Sequence, residues 1–172
     1  FDKIPDEHLV GFDMAGDELN YPQEKFVDLI HDIKIKGVNV TLHAGECPAC
    51  EKNILDSIAM GASRIGHGIM TKNLSEAEQK IMIEKQIVLE MAPTSNFQTK
   101  AVTELAQYPF KELYDKGIHV TLNTDNRMVS ATNLSKEYEK ISAWYPDFSL
   151  SDFEKGYIVI KKGKKKHLKV LI

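Results

Sequence analysis

The 172-residue sequence predicts a parallel α/β fold, either a doubly wound sheet or a strand–helix barrel. Three observations predict it. Short β-branched segments recur at near-regular intervals, helical spacings lie between them, and polar clusters follow the strands. The five strand candidates are Leu9–Met14, Val38–Leu42, Ser63–Ile65, Ile87–Met91 and Ile118–Leu122. Between the first two, Phe26, Leu29, Ile30 and Ile33 fall at i, i+3, i+4 and i+7, and Gly37 marks the stop. Ile54, Leu55, Ile58 and Ala59 make a second apolar stripe closed by Gly61. Ser75-Glu-Ala-Glu78 is a capping box opening a third helix, with Ile81 and Met82 inward. A shorter helix spans Phe110 to Lys116 and closes at Gly117. Met91-Ala-Pro-Thr-Ser95 and Asn96 read as a turn that supports the rim.

Composition fits this reading. The sequence is 42% hydrophobic and 27% charged, with 10 Gly, 6 Pro and 2 Cys, which excludes collagen-like, disulfide-stapled and low-complexity classes. No apolar run approaches the roughly 20 residues of a membrane span, so no membrane partner is expected. Net charge is −3, but residues 161–172 hold six Lys and no acid, leaving −9 for residues 1–160. An acidic body gives no footprint for nucleic acid. Two Cys and no leader peptide suggest a reducing, cytoplasmic setting.

Residues 1–148 read as one continuous unit. Residues 149–172 read as an atypical Lys-rich tail, where Ser151-Asp-Phe-Glu154 signals a helix start that Gly156 interrupts. With Phe1 in place of an initiator Met, the sequence reads as a piece of something longer.

The chemistry clusters where the strands end. Asp13 and Ala15-Gly16-Asp17 close the first, His43-Ala-Gly-Glu46 the second, Gly66-His67-Gly68 the third and Asn123-Thr-Asp-Asn126 the fifth. In parallel α/β folds those ends share one face. His43 suits a metal ligand, a general base or a core histidine. Gly45 permits a sharp turn that aims Glu46 at the same point. His beside a carboxylic acid is the minimum kit of metal-assisted hydrolysis. His67 is either a site residue or part of a tight turn, and Asp125 either a site residue or a helix N-cap or Asx turn. Cys47-Pro-Ala-Cys50 has no second pair and no separating strand, so it reads as ordinary helix-entry cysteines.

Taken together, Asp13-Met-Ala-Gly-Asp-Glu18, His43-Ala-Gly-Glu46, Arg64-Ile-Gly-His-Gly68, Leu89-Glu-Met-Ala-Pro-Thr-Ser-Asn96 and Asn123-Thr-Asp125 closely resemble the adenosine deaminase family, in family order over about residues 5–148. The resemblance implies a partial (β/α)8 TIM barrel, strands four to eight, and zinc-dependent hydrolytic deamination of adenosine or 2'-deoxyadenosine to inosine and ammonia. It implies Zn2+ held by His43 and Asp125, and Glu46 as proton donor to purine N1. His67 would orient the attacking water, and Glu46, His67 and Asp125 would be the catalytic groups. The Gly16 backbone would approach the purine ring. Asn126 stands where many members carry Asp facing purine N7; an amide can donate an N–H there. The family's His-x-His pair on its first strand is absent, since the histidines are His8, His31, His43, His67, His119 and His167. The implied ligand set is therefore incomplete.

Overall fold

The computed structural model describes residues 9–146 of the chain. Five parallel strands form one sheet: β1 (Gly11–Met14), β2 (Asn39–Ala44), β3 (Arg64–His67), β4 (Val88–Met91) and β5 (His119–Leu122). Among the described residues the helices are α1 (Val27–Ile35), α2 (Glu51–Ala59), α3 (Glu76–Glu84), α4 (Pro93–Gln98), α5 (Phe110–Asp115) and α6 (Leu134–Trp144). The Lys-rich run and the interrupted helix start expected near residue 151 lie outside the described residues.

Strand order is β1-β2-β3-β4-β5, all parallel. Right-handed crossovers between strands added in one direction put every connecting helix on the same face. A doubly wound sheet needs a reversal of strand order, which is absent among the described residues. The sheet is therefore an arc of a (β/α) barrel, and the architecture left open by periodicity is decided by topology.

Register shows what each face carries. Asp13 pairs with Thr41, Thr41 with Arg64, His43 with Gly66, Gly66 with Glu90, and Glu90 with Thr121. Side chains alternate along a strand, so these residues share one, largely polar face. The other face carries Val40, Leu42, Ile65, Leu89, Met91 and Leu122. These join Ile30, Ile33, Ile54, Ile58, Met82, Phe110, Leu113 and Ile141 from the helices in one apolar core. Burying each such side chain contributes about 1.5–3 kcal/mol, so a slip of one residue in any strand is strongly disfavoured.

Local signals set the element ends. Ser75 accepts from the Glu78 N–H while the Glu78 carboxylate accepts from the Ser75 N–H at 2.7 Å, completing the expected capping box of α3. Two helices were not foreseen. Residues 93–98, read as a turn, form α4, because Pro93 at the first helical position fixes φ without removing a needed hydrogen bond. Asn133 caps α6 by accepting from Lys136 N–H at 3.0 Å. Glu137, fully buried, accepts from Thr94 N–H at 3.0 Å and from the Thr94 and Thr132 hydroxyls, tying α6 to the start of α4. Phe97, Tyr108 and Trp144 pack as an aromatic cluster with centroids 5.3–6.0 Å apart, bracing the same contact.

Candidate active site

β2 and β3 run further than the sequence suggested, through His43 and His67 themselves. Strand alternation, rather than a loop, therefore sets the direction of His43 onto the polar face. Its imidazole occupies space that exists only because residue 66 is glycine: a Cβ at Gly66 would lie 2.4 Å from His43 Cδ2. Gln23 donates through Nε2 to the His43 carbonyl, fixing the backbone from outside the sheet. His43 Nε2 lies 3.5 Å from Asp13 Oδ1 across β1.

Beyond His43 the chain turns sharply. Gly45 has φ +66°, and a side chain there would strike Ile54, so glycine is needed for both reasons. The turn brings Glu46 Oε2 to 3.5 Å from His67 Nε2. Glu46 Oε1 accepts from the Thr99 hydroxyl at 3.1 Å. The His43 and His67 rings meet edge to face with centroids 4.9 Å apart.

His67 is buried, with the left-handed φ of 62° that a tight turn gives. The tight-turn reading of this residue thus holds, and the ring it carries is buried. Asn96, also buried, places its Nδ2 3.0 Å from His67 Nδ1. Tyr108 donates toward Asn96 Oδ1 at 3.5 Å, which orients the amide with its nitrogen toward the ring. An amide N–H donating to Nδ1 leaves the neutral ring's proton on Nε2, the nitrogen facing Glu46. Burial pushes the His67 imidazole below its usual range, outweighing the opposing charges of Glu46, Asp125 and Glu18.

Asp125, at φ +52°, accepts from the Ser95 hydroxyl at 2.6 Å and lies close enough for its charge to act on His67. It is not the cap of α6, a role Asn133 fills. The Asx turn belongs instead to the next residue: Asn126 Oδ1 accepts from Met128 and Val129 N–H, each at 3.1 Å. Its Nδ2 makes no hydrogen bond among the described residues. Gly16 is exposed in the β1–α1 loop, on the wall of a cavity of about 190 Å³ that also meets Glu18, Tyr21 and Gln23. A larger cavity of about 800 Å³ is lined by Lys72, Tyr108, Glu112 and Trp144 among others, and His43, Glu46, His67 and Asp125 are not part of its lining.

The two cysteines required a correction. Cys50 does stand at the entry to α2, as expected, but Cys47 and Cys50 are joined in a disulfide. A tight turn with Ala49 at φ +63° brings their Cα atoms to 5.6 Å. That pairing removes the support their number gave to a reducing compartment. Glu18, Cys47 and Cys50 place donor atoms within 4.8 Å of one another. They do not make a metal site, because the sulfurs are paired and the Glu18 oxygens are occupied by N–H groups.

His43, with a neutral imidazole, and Asp125, with a carboxylate, are donors suited to a zinc-like cation. Among the described residues no third His, Cys, Asp or Glu donor closes around them. Sequence reasoning missed Asn96, the partner that fixes His67, and Glu18, which holds the Glu46 turn. Their signal was position alone, one at the end of β4 and the other after β1.

Known proteins match this arrangement. The family model for adenosine deaminase matches residues 1–159. The adenosine deaminase of Lactococcus lactis subsp. lactis (strain IL1403) is 99% identical over 155 residues, covering 90% of this chain and 44% of that protein. Among solved structures, an adenine deaminase from Arthrobacter aurescens superposes with TM-score 0.75 at 24% identity, covering 83% of this chain and 43% of its own. The N6-methyl-AMP deaminase of Arabidopsis thaliana gives 0.73 at 27%, covering 84% and 42%. The chain thus spans under half the length of these relatives. With its motifs in order on a one-sided arc of parallel strands, the chain belongs to the adenosine deaminase family.

Proposed function

We propose that the chain provides strands four to eight of a zinc-dependent barrel that deaminates adenosine and 2'-deoxyadenosine to inosine and ammonia. In this reading residues 1–148 are the barrel portion and residues 149–172 an appended tail. The observation that carries it is the meeting of Glu46 and His67 at 3.5 Å on the strand-end rim, beside His43 and within reach of Asp125's charge.

His43 and Asp125 would hold the metal, which when bound supplies Lewis acidity and a water acidified toward neutral pH. Two protein ligands fall short of the three usual at catalytic zinc, so a full site needs donors beyond this pair. Glu46 places a carboxyl group where it can deliver a proton to purine N1, drawing electrons from C6. His67 presents Nε2–H toward the same point, and its depressed basicity keeps it neutral there. It donates that N–H to the attacking water, orienting it and stabilising the negative charge that develops on its oxygen. The exposed Gly16 backbone can lie flat against a purine. Asn126, with its Oδ1 spent on the turn, offers Nδ2 to N7.

The test is ammonia release from adenosine, together with bound metal, for the 172-residue chain and for a version extended upstream by three βα units. The expected result is turnover and stoichiometric zinc only in the extended form. Robust turnover by the short chain would sink the claim of incompleteness. A second reading is favoured by the likeness to the N6-methyl-AMP deaminase and by Asn126: an aminopurine or nucleotide substrate. Preference for free adenine or a nucleoside monophosphate in a substrate panel would select it. An extended form that binds metal and turns over nothing would mark a catalytically inactive product.

A further inference from the structure

Glu18 stands outside the catalytic set and is buried at 8% exposure. Its carboxylate is nevertheless saturated. Oε2 accepts from Gly45 N–H at 2.7 Å and from Asn53 Nδ2 at 3.1 Å. Oε1 accepts from Glu46 N–H at 2.6 Å and Cys47 N–H at 3.0 Å. Three successive backbone N–H groups thus converge on one side chain, a concave anion site built by the turn itself. Asn53 also donates to the Glu18 carbonyl at 3.1 Å, fixing the backbone of the loop that carries Gly16.

We propose that Glu18 is a positioning residue that holds the Glu46 turn in register with His67 and ties it to the Gly16 loop. The turn needs such a hold. Gly45 is in the left-handed region and Ala49 likewise, so the segment has no regular structure of its own to set the Glu46 backbone. Charge-assisted hydrogen bonds from a buried carboxylate are about twice as strong as neutral ones, and the low local dielectric strengthens them further. The Cys47–Cys50 bridge closes the far side of the same turn. Glu46 is therefore held at its own N–H and at the next residue, so that its side chain reaches Thr99 and His67 from a fixed backbone. A substrate clasped between Gly16 and Glu46 would meet two surfaces fixed by one residue.

The catalytic part of this inference rests on the deaminase reading; the structural part does not. Amide hydrogen exchange on the 172-residue chain tests the latter, using Glu18→Gln, Glu18→Asp and Asn53→Ala. Gln has the shape of Glu but brings N–H groups against N–H groups, whereas Asp keeps the acceptor charge one methylene short. Expected is faster exchange at residues 45–47 in Glu18→Gln, by at least roughly tenfold, with partial protection restored in Glu18→Asp. Exchange in α3 should be unchanged. Asn53→Ala leaves the three backbone donors bound and should disturb residues 45–47 less. Kinetics on the upstream-extended chain should show kcat lowered roughly ten- to a hundredfold in Glu18→Gln, with KM for adenosine moved less. A packing role predicts the reverse order, with Gln tolerated and Asp harmful. That order overturns the proposal, as does unchanged exchange at 45–47 or an equal effect of Asn53→Ala. An upstream-extended wild-type chain without turnover would count against the deaminase reading alone, and the exchange comparison would still decide Glu18.

Discussion

Gly66 and His43 occupy one volume between them, and that makes a single methyl group informative. A Cβ at position 66 would sit 2.4 Å from the imidazole. Gly66→Ala should therefore rotate His43 off its present direction, visible as a displaced His43 ring resonance and, under the proposed function, as weakened zinc uptake by the upstream-extended chain, while the fold persists. His67 gives a pH prediction. Its folded pKa lies below the ordinary 6.5, so the native state favours the neutral ring. Stability is full above pH 6.5 and declines as pH falls below it, because the unfolded chain takes up the proton first. Tm measured at descending pH should show this loss, and His67→Asn, which tolerates a left-handed φ, should flatten it. The cysteines predict no free thiol in non-denaturing alkylation and a two-proton mass gain after reduction. The sequence placed His43, Glu46, His67 and Asp125 on one rim because strand ends in parallel folds converge. It did not reveal Asn96 or Glu18, since a buried amide and a buried carboxylate betray nothing of their partners until the chain is folded.

Helices and strands were legible wherever one face repeats. α1, α2 and α5 announce themselves by apolar residues and a glycine stop, and α3 by its capping box, with Gln86 rather than glycine at the left-handed position that closes it. Ser75→Ala should lower stability by about 1 kcal/mol, read in a denaturant titration, through loss of the acceptor for the Glu78 N–H. α4 escaped notice because six residues beginning with proline carry too little periodicity to separate a helix from a turn. α6 was readable in principle: Leu134, Tyr138, Ile141 and Trp144 recur on one stripe behind a capping Asn133. Its buried Glu137 breaks the polar-outside rule, and that position is filled by hydrogen bonds that no pattern reveals. Strand ends moved by up to two residues, which sufficed to put His43 and His67 inside strands.

At the scale of the molecule, two sheet edges and an apolar flank decide behaviour in solution. β1 is an edge strand among the described residues, and Val10, Leu19, Tyr21, Leu29 and Ile35 on or near its flank are exposed. Such surfaces promote pairing between copies. The 172-residue chain should show concentration-dependent association in sedimentation velocity, and Ile35→Lys with Val10→Lys should shift it toward monomer. Whether the sheet winds on both sides or one was beyond periodicity to settle; strand order settled it.

That unreversed order also governs how such a chain comes into being. Each strand pairs only with its neighbours in sequence, so every strand pairing spans a single strand–helix–strand unit. Parallel pairing across 23 to 31 residues is slow in itself, and strict neighbour order keeps each loop closure to one such interval. A ribosome releasing the chain residue by residue would therefore release finished units in succession, each offering its free edge as the template for the next. Synthesis and assembly would share one direction and one rhythm.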